Sequence, residues 1–287
     1  MSTTAAHLLP ATLRLGAVHL TVADLDRSVA WYRRALGLRV HSHDATVAAL
    51  GDGGFGVRDP WQTAVVLVSW HPPEQREETS MDVTIIGTGN MGRGIATRAL
   101  AGGHDITLLG TAPGKAEALA RELSGNVRAG AVGDELQADV VVLAIPYAAI
   151  DDVLGRYQGQ LDGTVVVDIT NPVDFASFTP VSVPAGSAAQ EIAQKAPGAK
   201  VAKAFNTTFA GTLVEGNVAG QPLDVLIASD DDDAKRTVSQ LAEDGGLRAV
   251  DAGPLARAHE LEALGYLHMA LQEPLGTGFS STVKIVS

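Results

Sequence analysis

The stretch DVTIIGTGNMGRGIA, residues 82–96, decides the fold. Val83-Thr84-Ile85-Ile86 is β-branched throughout and reads as a short buried strand. Gly87-Thr88-Gly89-Asn90-Met91-Gly92 follows without a break and leads into the helical stretch RGIATRALAGG, so the GxGxxG spacing stands between a strand and a helix, where it has physical meaning. Gly87 permits the tight turn, Gly89 lets the backbone approach a pyrophosphate with no Cβ in the way, and Gly92 lets the helix pack close to the strand. The free N–H groups and the dipole at the helix start then form an anion site. A glycine-rich turn without a ligand is the alternative, and the strand–helix alternation downstream favours a dinucleotide.

The residue after the second strand selects the dinucleotide. An acid there holds the adenosine ribose of NAD, whereas hydroxyl and basic groups accommodate the extra phosphate of NADP. Here DITLLG, residues 105–110, runs into Thr111-Ala112-Pro113-Gly114-Lys115 with no acid. Thr111 can donate to a phosphate and Lys115 can supply charge, so NADP(H) is the expected cofactor. Lys115 reads equally well as a solvated helix residue, and Arg93 is a second cationic candidate.

Further along, DITLL, DVVVLAI, TVVVDI, KVAKAF and DVLIAS are short apolar runs, as expected for parallel strands covered on both faces. GKAEALARELSG and DDDAKRTVSQLAEDGG read as helices between them. The expected fold is α/β, a Rossmann-type doubly wound parallel sheet with a small C-terminal helical lobe. That lobe is a helix from about Leu255 to Gln272 between Pro254 and Pro274, with Leu261, Leu264, Leu267, His268 and Leu271 on one side. Ligands of such sheets lie outside the carboxyl ends of the strands. Ile145-Pro146, Asn171-Pro172 and Asn206-Thr207, each following a strand, are therefore expected to border the nicotinamide, although each proline can also simply start a helix or loop. Asp168 ends a strand and reads as a capping or loop-bonding aspartate in preference to a catalytic one. No catalytic acid or base is expected, and no strand–GxSxG–helix elbow supports a hydrolase.

Composition bounds the rest. The 287 residues carry a net charge of −12 and no cysteine, which excludes disulfides, thiolate catalysis, iron–sulfur clusters and cysteine-ligated zinc. Up to Ser80 there are eight acids and seven bases, and 25 acids and 14 bases follow, so nucleic acid is not an expected partner. No apolar run reaches the roughly 20 residues of a membrane span, and the N-terminus lacks a signal-peptide pattern, so the protein is expected in the cytoplasm. HPPEQREETS, residues 71–80, marks a seam. The expected domains are a small module over residues 1–73, a linker over 74–80 and an NADP-binding Rossmann domain over 81–287.

Residues 81–287 resemble the coenzyme F420-dependent NADP oxidoreductase family through VTIIGTGNMGRGIA, the strand VVVLAIP, the segment KVAKAFNT, and GGLRAVDAGPLARAHELEAL. The resemblance implies hydride transfer between NADP(H) and the 5-deazaflavin ring of coenzyme F420. It also implies pyrophosphate contacts from Thr88, Asn90 and Met91, a 2′-phosphate contact from Thr111, and Ile145 and Pro146 on the nicotinamide side. Family members often carry Ser-Arg where this chain has Thr111-Ala112. The AFNT segment is also similar to the reductase domain of metalloreductases. Two other readings stay open: an NADPH-dependent reductase of a flavin, a ferric complex or a small carbonyl or imine, and an NADP(H)-sensing or ligand-binding protein.

Upstream, AVHLTV, a helix capped by Asp24 and ended by Gly37, LRVHSH, TVAALGDGG and TAVVLVSW give a βαβββ order. This resembles one module of the glyoxalase/bleomycin-resistance (vicinal oxygen chelate) family, in which two modules normally close a cavity. His19 stands where that resemblance implies a metal-ligating histidine, but Val66 occupies the expected glutamate position. His41 and His43 share a strand face. No functional metal is expected. A half module leaves a sheet face uncovered, and a homodimer is the expected way to cover it.

Overall fold

The computed structural model describes residues 18–21, 26–27, 29–30, 39–43, 47–51, 66–69, 80–112 and 114–286. The chain divides into two compact units, Met1–Thr79 and Ser80–Ser287. In the first, β1 (Val18–Thr21), β2 (Arg39–His43), β3 (Val47–Gly51) and β4 (Val66–Ser69) form a sheet in the order β1-β4-β3-β2. β1 is parallel to β4, and the other pairs are antiparallel. Asp26, Arg27, Val29 and Ala30 between β1 and β2 are helical, giving the βαβββ order. Asp24, Gly37 and the linker residues 74–79 lie outside the described residues.

The second unit is built on eight strands: β5 (Asp82–Ile86), β6 (Asp105–Gly110), β7 (Val127–Ala131), β8 (Val140–Leu143), β9 (Val165–Asp168), β10 (Lys200–Lys203), β11 (Asp224–Ser229) and β12 (Arg248–Gly253). They lie in the order β12-β11-β10-β9-β8-β5-β6-β7. β8 explains why the sheet needs helices on both sides. All four of its residues are buried, and their alternation sends Val140 and Val142 to one core and Val141 and Leu143 to the other.

The first core receives Ile95 and Ala99 of α1 (Asn90–Ala101), Leu119 of α2 (Lys115–Glu122) and Val238 and Leu241 of α6 (Asp232–Asp244). The second receives Val153 of α3 (Ile150–Arg156) and Ile192 of α4 (Ala188–Lys195). A short α5 (Ala210–Glu215) and a long α7 (Ala258–Ala270) complete the unit. Side-chain caps fix two of the starts: Ser187 accepts from the Gln190 N–H and Asp231 from the Ala234 N–H at 2.8 Å.

The six strands β5 to β10, lying as β7-β6-β5-β8-β9-β10, follow the doubly wound order, and three details differ from expectation. β11, the run DVLIAS, is antiparallel to β10, with Ala202 opposite Ser229, and β12 pairs parallel to β11. An apolar run buried on both faces has no sequence feature that records its direction. β7 and β12 are strands that the periodicity does not announce; they are the two edges of the sheet, and β7 leaves Arg128 and Ala129 exposed. Finally, the apolar side of α7 is only partly covered. Leu261 and His268 are buried, whereas Leu267 and Leu271 face outward, and Pro274 sits inside a further turn, Gln272–Leu275.

Candidate functional site

The chain winds outward from β5 to β7 and then returns to lay β8 on the other side of β5, so the crevice at the carboxyl ends of β5 and β8 is the topological switch point. Gly87 ends β5 there. Its N–H donates to the Leu109 carbonyl at 2.9 Å, its φ is +122°, and a Cβ on it would lie 2.0 Å from the Ala144 carbonyl oxygen. A Cβ on Gly92 would lie 2.2 Å from the Gly87 carbonyl oxygen. These two glycines serve the protein's own packing. Gly89 differs: a Cβ there meets no described atom within 4 Å. It is the N-cap of α1, and no described side chain caps that end. The open space over Gly89 and the uncapped N–H groups behind it make a cradle that can receive an anion.

From this cradle a cleft of about 740 Å³ runs toward the ends of β8, β9 and β10. It is lined by Gly89, Asn90 and Met91 at the start of α1, by Ile145 and Pro146 after β8, and by Thr170, Asn171, Asn206 and Thr208 after β9 and β10, with the buried Thr170, Asn206 and Thr208 as its floor. Phe175 and Phe279 stand at the rim, 65% and 54% exposed. Phe279 lies edge-on to Phe209, which stacks on His268 at a centroid distance of 4.2 Å. Burial pushes the His268 imidazole below its ordinary pKa, and its nitrogens meet the Thr207 carbonyl and the Ser281 hydroxyl, so the neutral ring pins the C-terminal segment beside the cleft.

The far end is held from behind by a charge. Lys203, at the end of β10, is fully buried; its ammonium donates to Asp168 Oδ2 at 2.7 Å, to Glu262 Oε1 of α7 at 2.8 Å and to the Thr170 carbonyl. Burial raises the pKa of the Glu262 carboxyl, and Lys203 opposes that shift. Asp168 Oδ1 also accepts from the Thr170 N–H at 2.8 Å. The next turn is made by Phe205, buried with φ at +59°, a left-handed backbone that a bulky side chain rarely adopts and that brings Asn206 and Thr208 to the cleft. Asn171 and Asn206 are paired: Asn171 Nδ2 donates to the Asn206 carbonyl and Asn206 Nδ2 to Asn171 Oδ1, both at 2.9 Å.

The chemistry such a cleft permits follows from its lining, which contains no carboxylate, lysine or histidine among the described residues. Its one titratable group, Tyr147, donates to Glu191 Oε2 at 2.6 Å, and burial together with that carboxylate raises its pKa to about 12. It is a poor proton donor at neutral pH. Asp168 is occupied by Lys203 and Thr170, so its role here is to fix a loop.

Of the residues singled out from sequence, Gly89, Asn90, Met91, Ile145, Pro146, Asn171 and Asn206 come together in this one cleft. Thr88, Thr111 and Lys115 lie outside it at the end of β6, where a Cβ on Gly110 would touch Thr88 Cγ2 at 3.4 Å. Thr111 and Lys115 are both exposed there. Arg93 pairs with Glu122 at the end of α2. Thr170, Phe175, Phe209, Phe279 and Lys203 carry no motif and are found only from the structure. His19, His41 and His43 lie on described strands, but their side chains fall outside the described residues.

The profile of the family described as NADP oxidoreductase, coenzyme F420-dependent, matches residues 82–172. That of the glyoxalase/bleomycin resistance protein/dioxygenase superfamily matches residues 14–126. The F420-dependent NADP reductase of Methanothermobacter thermautotrophicus is 31% identical over 202 residues, covering 64% of this chain and 86% of the relative. The metalloreductase STEAP3 of Rattus norvegicus is 31% identical over 183 residues, 63% of this chain but only 36% of that protein. A crystal structure described as an F420-dependent NADP-reductase from Arthrobacter sp. FB24 superposes with a TM-score of 0.65 at 28% identity, covering 72% of this chain and all of that one.

Proposed function

The chain belongs to the coenzyme F420-dependent NADP oxidoreductase family, and we propose that its second unit passes a hydride between NADP(H) and F420 across the cleft described above. In one direction NADPH gives its hydride and solvent a proton to F420; in the other, reduced F420 returns the hydride to NADP+ and releases the proton to solvent. The observation that carries this reading is the cleft itself, which joins a pyrophosphate cradle at Gly89 to an apolar, aromatic-rimmed end without an acid or base. Nicotinamide and deazaflavin supply the hydride chemistry between them, and the protein contributes orientation and dryness. Asn90, Met91 and the start of α1 hold the pyrophosphate, and Thr111 with Lys115 faces the 2′-phosphate from the exposed end of β6. Ile145, Pro146, Asn171 and Asn206 seat the nicotinamide, and Phe175 and Phe279 cover the outer ring. Mixing the protein with NADPH and F420 tests this: the deazaflavin absorbance is expected to fall. A protein that leaves F420 untouched and reduces free FMN or a ferric complex points instead to the second reading, whose ferric branch the equal identity to a metalloreductase keeps in view.

Among the described residues no helix is long and apolar enough to cross a membrane. As a reductase drawing on the NADPH pool, the protein belongs in the cytoplasm, and fractionation of the host cell checks this. The proposal includes a homodimer. Leu267, Leu271 and Leu275, at steps of four along and just beyond α7, are 53%, 40% and 63% exposed and give the second unit an apolar row of its own. Light scattering is expected to show a dimer for the full chain; a chain starting at Met81 that stays dimeric, and becomes monomeric as Leu271→Glu, assigns the interface to this row, whereas one that is monomeric from the start assigns it to the uncovered sheet face of the first unit. A monomeric full-length chain ends the proposal.

A further inference from the structure

Two polar atoms in the floor of the cleft have no hydrogen-bond partner among the described residues although both are buried: Thr170 Oγ1 and Asn206 Oδ1. Their residues are 4% and 5% exposed, and both line the cleft. Buried polar atoms are almost always paired, because an unpaired one forfeits its water without compensation. The Asn206 oxygen cannot find a protein partner by turning the amide over. Both N–H groups of Asn206 are committed, one to Asn171 Oδ1 at 2.9 Å and one to the Leu261 carbonyl at 2.8 Å, so the amide orientation is fixed and the oxygen is the atom left over. The Thr170 backbone is gripped on both sides, its N–H by Asp168 and its carbonyl by Lys203.

We propose that Asn206 Oδ1 and Thr170 Oγ1 together read the carboxamide of the nicotinamide ring. The carboxamide N–H donates to Asn206 Oδ1, and the Thr170 hydroxyl donates to the carboxamide oxygen. A primary amide suits the two atoms in chemistry, because it carries one donor and one acceptor and they supply one fixed acceptor and one hydroxyl whose hydrogen turns to donate. The depth of the pair selects the inner ring. A nicotinamide laid along the strand ends reaches residues at the floor, whereas an acceptor ring stacked outside it meets the exposed Phe175 and Phe279. The recognition orients the nicotinamide, since a ring flipped about its glycosidic bond moves the carboxamide away from both atoms, and it therefore determines which face of the ring is presented to the acceptor.

This inference rests on the NADP(H) reading, and calorimetric titration of the full chain with three ligands separates the two. The ligands are NADP+, its 3-acetylpyridine analogue, in which a methyl replaces the amide nitrogen, and 2′-phospho-ADP-ribose, which lacks the ring. The parent protein is expected to bind NADP+ about tenfold more tightly than the acetylpyridine analogue, because the methyl leaves Asn206 Oδ1 unpaired. Asn206→Ala brings the two affinities together. Thr170→Val, nearly isosteric and so the safer fold, weakens both by a similar factor and leaves 2′-phospho-ADP-ribose unchanged. If 2′-phospho-ADP-ribose does not bind, the NADP(H) reading itself falls. If it binds but the parent does not distinguish the amide from the ketone, or Thr170→Val weakens 2′-phospho-ADP-ribose as well, the carboxamide assignment falls alone. Loss of F420 binding in Thr170→Val with NADP+ unaffected likewise overturns it and gives the pair to the acceptor ring.

Discussion

Alanine at position 89 lowers the affinity for NADPH by about tenfold or more while the thermal unfolding midpoint stays near that of the parent protein. The protein is indifferent to a methyl group there: the backbone has an ordinary φ of −81° and a Cβ meets no described atom within 4 Å. A pyrophosphate is not indifferent, because the methyl occupies the space through which it reaches the N–H groups of α1. The neighbouring glycines give the opposite pattern. Gly92→Ala places a Cβ 2.2 Å from the Gly87 carbonyl oxygen, and Gly87→Ala adds a backbone strain at φ +122° to a collision at 2.0 Å. Both variants lose stability as well as cofactor. Calorimetric titration and thermal unfolding of the three variants make the comparison, and a Gly89→Ala protein with undiminished NADPH affinity places the pyrophosphate elsewhere.

The largest loss of stability is expected from Lys203→Met. The side chain keeps its length and loses its charge, leaving Asp168 fully buried and Glu262 nearly so without their shared cation. Removing one partner from a buried ion pair costs about 3–5 kcal/mol, and in a unit of this size each kcal/mol lowers the unfolding midpoint by about 2–4 °C. The deficit depends on pH with a definite sign. The Glu262 carboxyl already sits above its ordinary pKa of 4.5 through burial. Without Lys203 it rises further, so the folded variant binds protons that the unfolded chain releases. The deficit is therefore smallest at acid pH, where Glu262 is protonated in both proteins, and grows as the pH rises through the parent's own raised Glu262 pKa. Glu262→Gln added to Lys203→Met recovers part of the loss at neutral pH. A loss below about 1 kcal/mol, or one independent of pH, shows that Lys203 does not hold the two carboxylates.

What the sequence discloses and what it hides follow from the range of the interactions. The turn at Gly87–Gly92 is legible because strand, glycines and helix are contiguous, and the strands around it because burial on both faces leaves near-continuous apolar runs. The direction of β11 is hidden for the same reason, since DVLIAS looks alike read from either side. β7 and β12 are hidden because an edge strand keeps only part of its apolar pattern. Asn171 and Asn206 could be placed in the site, each being a polar residue just past a strand end. Thr170, one residue earlier, carries the same information and is found only through the hydrogen bond its hydroxyl lacks. Lys203 reads as one alternating residue of KVAKAF; its partner Glu262 is 59 residues away on α7, and no local pattern connects them. The aromatic rim of Phe175 and Phe279, with the buried Phe209 behind it, is assembled in the same way.

The central claim, that this cleft brings nicotinamide and deazaflavin into contact, is tested most directly by a single turnover with NADPH deuterated at the transferable position of nicotinamide C4. The account predicts that F420 loses its absorbance in step with NADPH oxidation, with the deuterium recovered on C5 of the reduced deazaflavin and none in water. An F420 absorbance that does not change while NADPH stays bound, or deuterium released to solvent, contradicts it.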